Sequence, residues 1–395
     1  MKITRRIFLQ LFLAIGFTFF VGSCKKDDVA TPANQNLVSG TLVKEYSKSE
    51  LLVQLNAFGG AQLAPFLRSG IKQYKIIYKT KNTDGTTITA SGGFILPTTL
   101  TDPISLVSYQ HGTITSDALA PSYFDLNSEA PIGSLISALG YFVVMPDYIG
   151  YGESKSLPHT YEHRVGLATA SLDLIRAAKE FIKDNNLNWN SNLLIAGYSE
   201  GGYATMALQK KIEDEFPTEF NLKASSCGSG AYNKTLSFMN LVSKTSSGAA
   251  SSNSLYIWVL LTYDRIYKLN RPMSAYFKEP YATQIDKDKQ NAQISVSLDK
   301  IIADNFKTAV VNGTDAGFAA ALKDNDIFDW KPKTPTQLYA GDADELVGYF
   351  NSKTAFDAMK ARGAASLEFK TTTGGTHGST VSDFLLGTFS FFSGK

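Results

Sequence analysis

Between Leu193 and Lys211 the chain passes from an apolar run, Leu193-Leu194-Ile195-Ala196, through Gly197-Tyr198-Ser199-Glu200-Gly201-Gly202, into Tyr203-Ala204-Thr205-Met206-Ala207-Leu208-Gln209-Lys210-Lys211. The first segment reads as a buried parallel strand and the last as a helix. A turn this sharp strains its central residue and leaves no room for bulk beside it, so a serine between close glycines suits it. The serine hydroxyl then stands clear of the sheet at a helix N-terminus, the layout of a nucleophile elbow. With 31 glycines in 395 residues, this spacing arises by chance about 0.2 times per chain. Partners elsewhere must support it.

Strands and helices alternate around the elbow. Residues 71–80 and 86–96 read as strands joined by Asn82-Thr83-Asp84-Gly85, a hairpin signal. Further strands are expected at 104–110, 141–146, 222–228, 337–340 and 366–371, with helices at 161–183, 349–361 and from about Thr380. This order predicts an α/β fold with a mostly parallel sheet and helices on both faces. Function gathers at the carboxyl ends of such strands. His111, Asp147, Ser199, Asp342, Asp344 and His377 all follow strands and belong to one rim. The alternation breaks over residues 231–330. There 243–254 reads as loop and 255–269, 292–305 and 316–323 as helices, an insertion expected to cover the rim as a lid.

The first residues belong to targeting. Met1 to Arg6 is basic and residues 7–21 are almost wholly apolar but short for a membrane span. Val21-Gly22-Ser23-Cys24 resembles the lipobox of bacterial lipoproteins. That resemblance makes 1–23 a removed signal peptide and Cys24 a lipidated first residue, anchoring an extracytoplasmic protein at the periplasmic face or the cell surface. Thr4-Arg5-Arg6-Ile7-Phe8-Leu9-Gln10 resembles a twin-arginine export motif. Residues 24–45 read as a tether, with a Pro/Asn/Thr/Ser/Gly-rich stretch and no periodicity, before a domain spanning 46–395. Only Cys227 then remains as a thiol, within an apolar strand, and no intrachain disulfide is possible. A net charge of +2 gives no reason to expect nucleic acid as a partner.

Serine needs an adjacent base to act as a nucleophile at neutral pH. Of four histidines, His111, His159, His163 and His377, the last lies in a Gly-rich loop downstream of Ser199. It fits the chain order nucleophile, acid, histidine. Gly341-Asp342-Ala343-Asp344-Glu345-Leu346-Val347 offers three carboxylates to orient it. Two backbone N–H groups must receive the developing oxyanion. Glu200, directly after Ser199, supplies one, and Thr113, with Gly112 as the alternative, supplies the other. No metal-ligand spacing accompanies the acidic turn.

These motifs, in this order, resemble those of α/β-hydrolase-fold serine hydrolases: His111-Gly112-Thr113, Asp147-Tyr148-Ile149-Gly150-Tyr151-Gly152-Glu153-Ser154, the elbow, the 341–347 turn and Thr376-His377-Gly378. Within that superfamily the chain is most similar to secreted lipases and esterases with an inserted lid. The resemblance favours Asp344 as the acid, bracketed by Gly341 and Val347, although Ala340 stands where many members have histidine. It implies no metal and no organic cofactor. It implies an ester hydrolase acting on small-molecule or lipid-like esters. A serine peptidase of the same fold is the alternative, and a non-catalytic binding lipoprotein a third reading.

Overall fold

A computed structural model describes residues 34–57 and 61–395. The expected signal peptide, Cys24 and the first part of the expected tether lie outside these residues. In chain order the elements are β1 (Leu37–Tyr46), α1 (Lys48–Ala57), β2 (Ile71–Lys81), β3 (Thr87–Pro97), β4 (Ile104–Gln110), α2 (Ala130–Ala138), β5 (Phe142–Pro146), α3 (Arg164–Asp184), β6 (Trp189–Tyr198), α4 (Glu200–Glu215) and β7 (Asn221–Gly228). There follow α5 (Lys234–Ser243), α6 (Ala250–Ile266), α7 (Tyr281–Asp288), α8 (Leu298–Ile301), α9 (Asp304–Val311), α10 (Ala316–Asp324), β8 (Thr336–Gly341), α11 (Phe350–Ala361), β9 (Leu367–Thr372) and α12 (Thr380–Phe392).

The nine strands among the described residues form one sheet in the order β1-β2-β3-β5-β4-β6-β7-β8-β9. β1, β2, β3 and β5 pair antiparallel in succession. From β5 through β4 to β9 every pair is parallel. The central strands are buried on both faces because their side chains alternate between two apolar layers. Leu106, Leu193 and Ile195 pack with Leu172, Ile175, Ile182 and Leu208 of α3 and α4. Val107, Leu194 and Ala196, one residue on, pack with Ile136 of α2 and Phe384 of α12. Each fully buried side chain of this kind contributes about 1.5–3 kcal/mol.

The six helices α5–α10 lie between β7 and β8 and build a core of their own. Phe238, Ile257, Tyr263, Tyr276, Phe306 and Phe318 are buried there. The expected insertion is therefore helical, with two local differences. α6 starts at Ala250, inside the segment expected to be loop. Residues 292–305 hold only the short α8 and the start of α9. Ala292, Ile294, Leu298 and Ile301 are buried in this core, seated there by tertiary contacts.

The boundary of the tether also moves. Residues 37–45, expected to be tether, lie in β1, which pairs with β2 from Leu37 to Tyr46. β1 is an edge strand with two register irregularities, and only Tyr46 is buried. Its inner face meets the core through little more than Leu37 and Gly40, which abuts Phe181, so its sequence carries no apolar alternation to read. No helix among the described residues is long and apolar enough to cross a membrane.

Candidate active site

The elbow is set by backbone crowding. A Cβ on Gly197 would lie 2.5 Å from the carbonyl oxygen of Gln110, and one on Gly201 would overlap that same oxygen. Ser199 has φ 60° and ψ −124°, a conformation that costs a non-glycine residue about 1–3 kcal/mol. Its N–H donates to Gly228 O at 2.9 Å, holding the turn against β7. Tyr198, the second residue of the motif, donates its hydroxyl to His377 O at 2.8 Å. It ties the elbow to the histidine loop.

The structure brings Ser199, His377 and Asp344 together. Ser199 Oγ lies 2.9 Å from His377 Nε2. His377 Nδ1 lies 2.7 Å from Asp344 Oδ2. The Asp344 side chain is fully enclosed, whereas the His377 side chain keeps 15% of its exposure. The other oxygen of Asp344 accepts the Leu346 and Val347 N–H groups at 3.0 and 2.9 Å. A carboxylate so held acts only as an acceptor, so Nδ1 carries the ring proton and Nε2 offers its lone pair to the serine hydroxyl.

Asp342 does not reach the imidazole. It accepts Gly374 N–H at 2.6 Å, and Ala343 N–H donates to Gly375 O at 3.0 Å, which zips the acidic turn to the histidine loop. Among the described residues, neither the Glu200 nor the Thr113 backbone N–H donates to a protein acceptor. Gly112 N–H does: it donates to Glu129 Oε1 at 2.9 Å. That leaves Thr113 rather than Gly112 with a free donor on this loop. Gly112 itself sits where an added Cβ would be 3.7 Å from Ser199 Cβ. The Glu200 amide opens α4, whose N-terminus favours negative charge.

His111 is buried, with Nδ1 2.6 Å from Gly112 O and Nε2 unpartnered. Burial pushes it below the ordinary imidazole value, so it stays neutral and fixes its own loop. Cys227 is fully buried, and burial pushes its thiol up to about 12.

A cavity of about 290 Å³ opens beside Ser199. Leu241, Leu255, Tyr256 and Val259 of α5 and α6 form one side of it, and Leu346 and Val347 line it from the loop after β8. Glu162 and Lys234 also line it and form a buried ion pair. Burial drives the Glu162 carboxyl up and the Lys234 ammonium down, and each partner's charge opposes that shift. Lys234 Nζ also sits 4.0 Å from the centre of the Tyr203 ring. Neither this pair nor Glu129 stood out in the sequence. Their partners are 72 and 17 residues away, with no motif linking them.

The fold matches solved structures at low identity. A protein of Legionella pneumophila superposes with a TM-score of 0.79 at 24% identity, over 91% of this chain and 97% of that one. The rice cell wall degrading esterase LipA of Xanthomonas oryzae gives 0.76 at 23%, over 90% and 95%. Lipase A of Candida antarctica gives 0.64 at 19%, over 90% and 83%. A comparison with curated proteins finds no match. Residues 131–384, more than half of the chain, match the model of the secretory lipase family. The chain therefore belongs to that family and is a carboxylic ester hydrolase of the α/β-hydrolase fold.

Proposed function

We propose that the protein hydrolyses carboxylic esters through an acyl-enzyme on Ser199. The observation that carries this reading is the unbroken line Asp344–His377–Ser199, with contacts of 2.7 and 2.9 Å, which ends on a serine that lines the cavity. Ser199 Oγ attacks the ester carbonyl while His377 Nε2 takes its proton. Asp344 stabilises the imidazolium that forms and remains ionised. The Glu200 and Thr113 N–H groups receive the oxyanion. His377 then returns its proton to the leaving alcohol, and water releases the acid by the same steps in reverse order.

The cavity is at the small end of ligand pockets, and its wall carries the Glu162–Lys234 pair. Both features favour short acyl groups over long alkyl chains. The protein acts outside the cytoplasm on this reading, held to a membrane by lipid on Cys24; Val21-Gly22-Ser23-Cys24 supports that part.

A panel of p-nitrophenyl esters of graded length, run beside aminoacyl-naphthylamides, tests the reading. Acetate and butyrate should be turned over and the naphthylamides spared. Ser199→Ala should abolish turnover with nearly unchanged thermal unfolding. Full activity in that variant would remove the mechanism. Cys24→Ser should move the protein from the membrane to the soluble fraction.

A further inference from the structure

A second buried histidine–carboxylate pair adjoins Ser199 through Glu200, the next residue, and the mechanism above does not use its side chains. His159 Nε2 is 2.8 Å from Glu200 Oε1, and His159 Nδ1 is 2.7 Å from Ile149 O. The side chains are 4% and 1% exposed. Ile149 O can only accept. Both contacts are hydrogen bonds only when the pair carries two protons: imidazolium with carboxylate, or imidazole with carboxylic acid. Either form is rigid, because both ring nitrogens and the carboxyl group are engaged at once.

The ring is also clamped from its sides. Tyr148, Tyr151 and Tyr161 surround it at centroid distances of 6.0, 4.9 and 6.0 Å. Trp258 of α6 stands edge-on at 5.4 Å, and Arg265 of α6 donates to His159 O at 2.7 Å. A Cβ on Gly150 would lie 2.5 Å from His159 Cα, so only glycine lets the 147–152 loop pass. Tyr148 and Glu162, non-glycine residues at positive φ, mark strain at both ends of this region.

The same tyrosines reach the opposite oxyanion loop. Tyr148 donates its hydroxyl to His111 O at 3.1 Å, and Tyr151 donates to Ile114 O at 2.6 Å. Tyr161 OH and Thr113 Oγ1 are 3.1 Å apart. These bonds bracket Thr113, while His159 itself holds the side chain of Glu200. We infer that His159 is a positioning residue that fixes both oxyanion donors, Glu200 N–H through its carboxyl group and Thr113 N–H through the tyrosines packed on its ring. This rests on the acyl-enzyme reading. It also gives Asp147-Tyr148-Ile149-Gly150-Tyr151-Gly152 a task, as the frame of that residue.

The test uses the full chain and the variants His159→Ala, Glu200→Ala, Glu200→Gln and the double alanine. Hydrolysis of p-nitrophenyl butyrate is normalised to sites titrated with a fluorophosphonate, and phenylboronic acid reports affinity for a tetrahedral adduct. Each alanine variant should lower kcat by about 10²-fold with KM within about twofold, and the boronate Ki should rise in parallel. The double variant should lose no more than a single one, as expected of groups acting as a unit. Glu200→Gln should recover kcat to within about tenfold of the parent, because its amide can donate to Nε2 while Nδ1–H keeps Ile149 O.

Unchanged normalised kcat in the alanine variants, losses that multiply, or equal behaviour of Gln and Ala would each overturn the inference. Where His159→Ala does not fold, Arg265→Met, at an exposed residue, carries the test. It should lower kcat severalfold at constant KM, and no change would count against the inference. A parent enzyme that turns over no ester and resists the probe would instead remove the acyl-enzyme reading itself.

Discussion

Two histidine–carboxylate pairs adjoin one serine, and they differ in what the second ring nitrogen meets. In His377–Asp344 it meets a hydroxyl, and the ring keeps some contact with solvent. In His159–Glu200 it meets a carbonyl, and the ring is sealed beneath α6. The first pair can move a proton to and from a reacting atom. The second has nowhere to send one and serves as a strut. A buried imidazole beside an acid is thus no sign of base catalysis in itself; the far nitrogen's partner decides its task. His111 and His163 complete the contrast. Neither has a carboxylate bonded to its ring, and burial lowers both.

The comparison breaks most visibly at the proton-moving pair. Ser199→Ala and His377→Ala should each reduce kcat by about 10⁵–10⁶-fold, far beyond the His159 variants, in single-turnover assays on a short ester. Similar losses at His159 and His377 would end the distinction. Next, Asp344→Asn should reduce kcat by about 10⁴-fold, through the wrong tautomer of His377. Asp342→Asn should reduce it less than tenfold, since that side chain only braces the loop at Gly374. Equal losses would reassign the acid.

Lys234→Met should destabilise the fold by about 3–5 kcal/mol, because it strands Glu162 as a buried charge. Glu162→Leu with Lys234→Met should regain most of that in urea unfolding, and should extend turnover towards longer acyl chains. Persistent instability of the double variant would show that the pair is structural in its own right.

The smallest effect concerns His163, whose Nδ1 caps α3 by accepting Gly166 N–H at 3.2 Å. Burial lowers its pKa from 6.5 to about 4. The unfolded chain therefore binds the proton more readily than the native one. The associated stability is complete above about pH 6.5 and is lost as pH falls towards 4, by about 3 kcal/mol. His163→Asn keeps a capping acceptor without a titrating one. Its stability should fall less than the parent's between pH 7 and 4.5 in urea titrations, and parallel curves would refute the assignment.

What could be read from the sequence was whatever is local. β5 and the second half of β6 announce themselves as short apolar runs because both faces are buried. The elbow, the 341–347 turn and the 374–378 loop carry motifs whose spacing reflects local bonds, such as Val347 N–H on Asp344. α2 was missed because Pro131 and Gly133 dilute its helical signal. β1 was missed because a mostly exposed edge strand, with a glycine where it meets Phe181, shows no apolar pattern. The pairs His159–Glu200 and Glu162–Lys234 were invisible because they join residues 41 and 72 apart, and only the path of the folded chain makes them neighbours.

α6 has one consequence for anyone who would redesign this enzyme. Leu255, Tyr256 and Val259 touch the cavity, while Trp258 and Arg265 of the same helix hold His159. A change that tilts α6 to admit a bulkier ester also loosens the strut behind the oxyanion donors. On this helix, breadth of substrate and speed of turnover trade against each other. Laboratory evolution that seeks both has more freedom on α5, where Leu241 borders the same space and the strut is left alone.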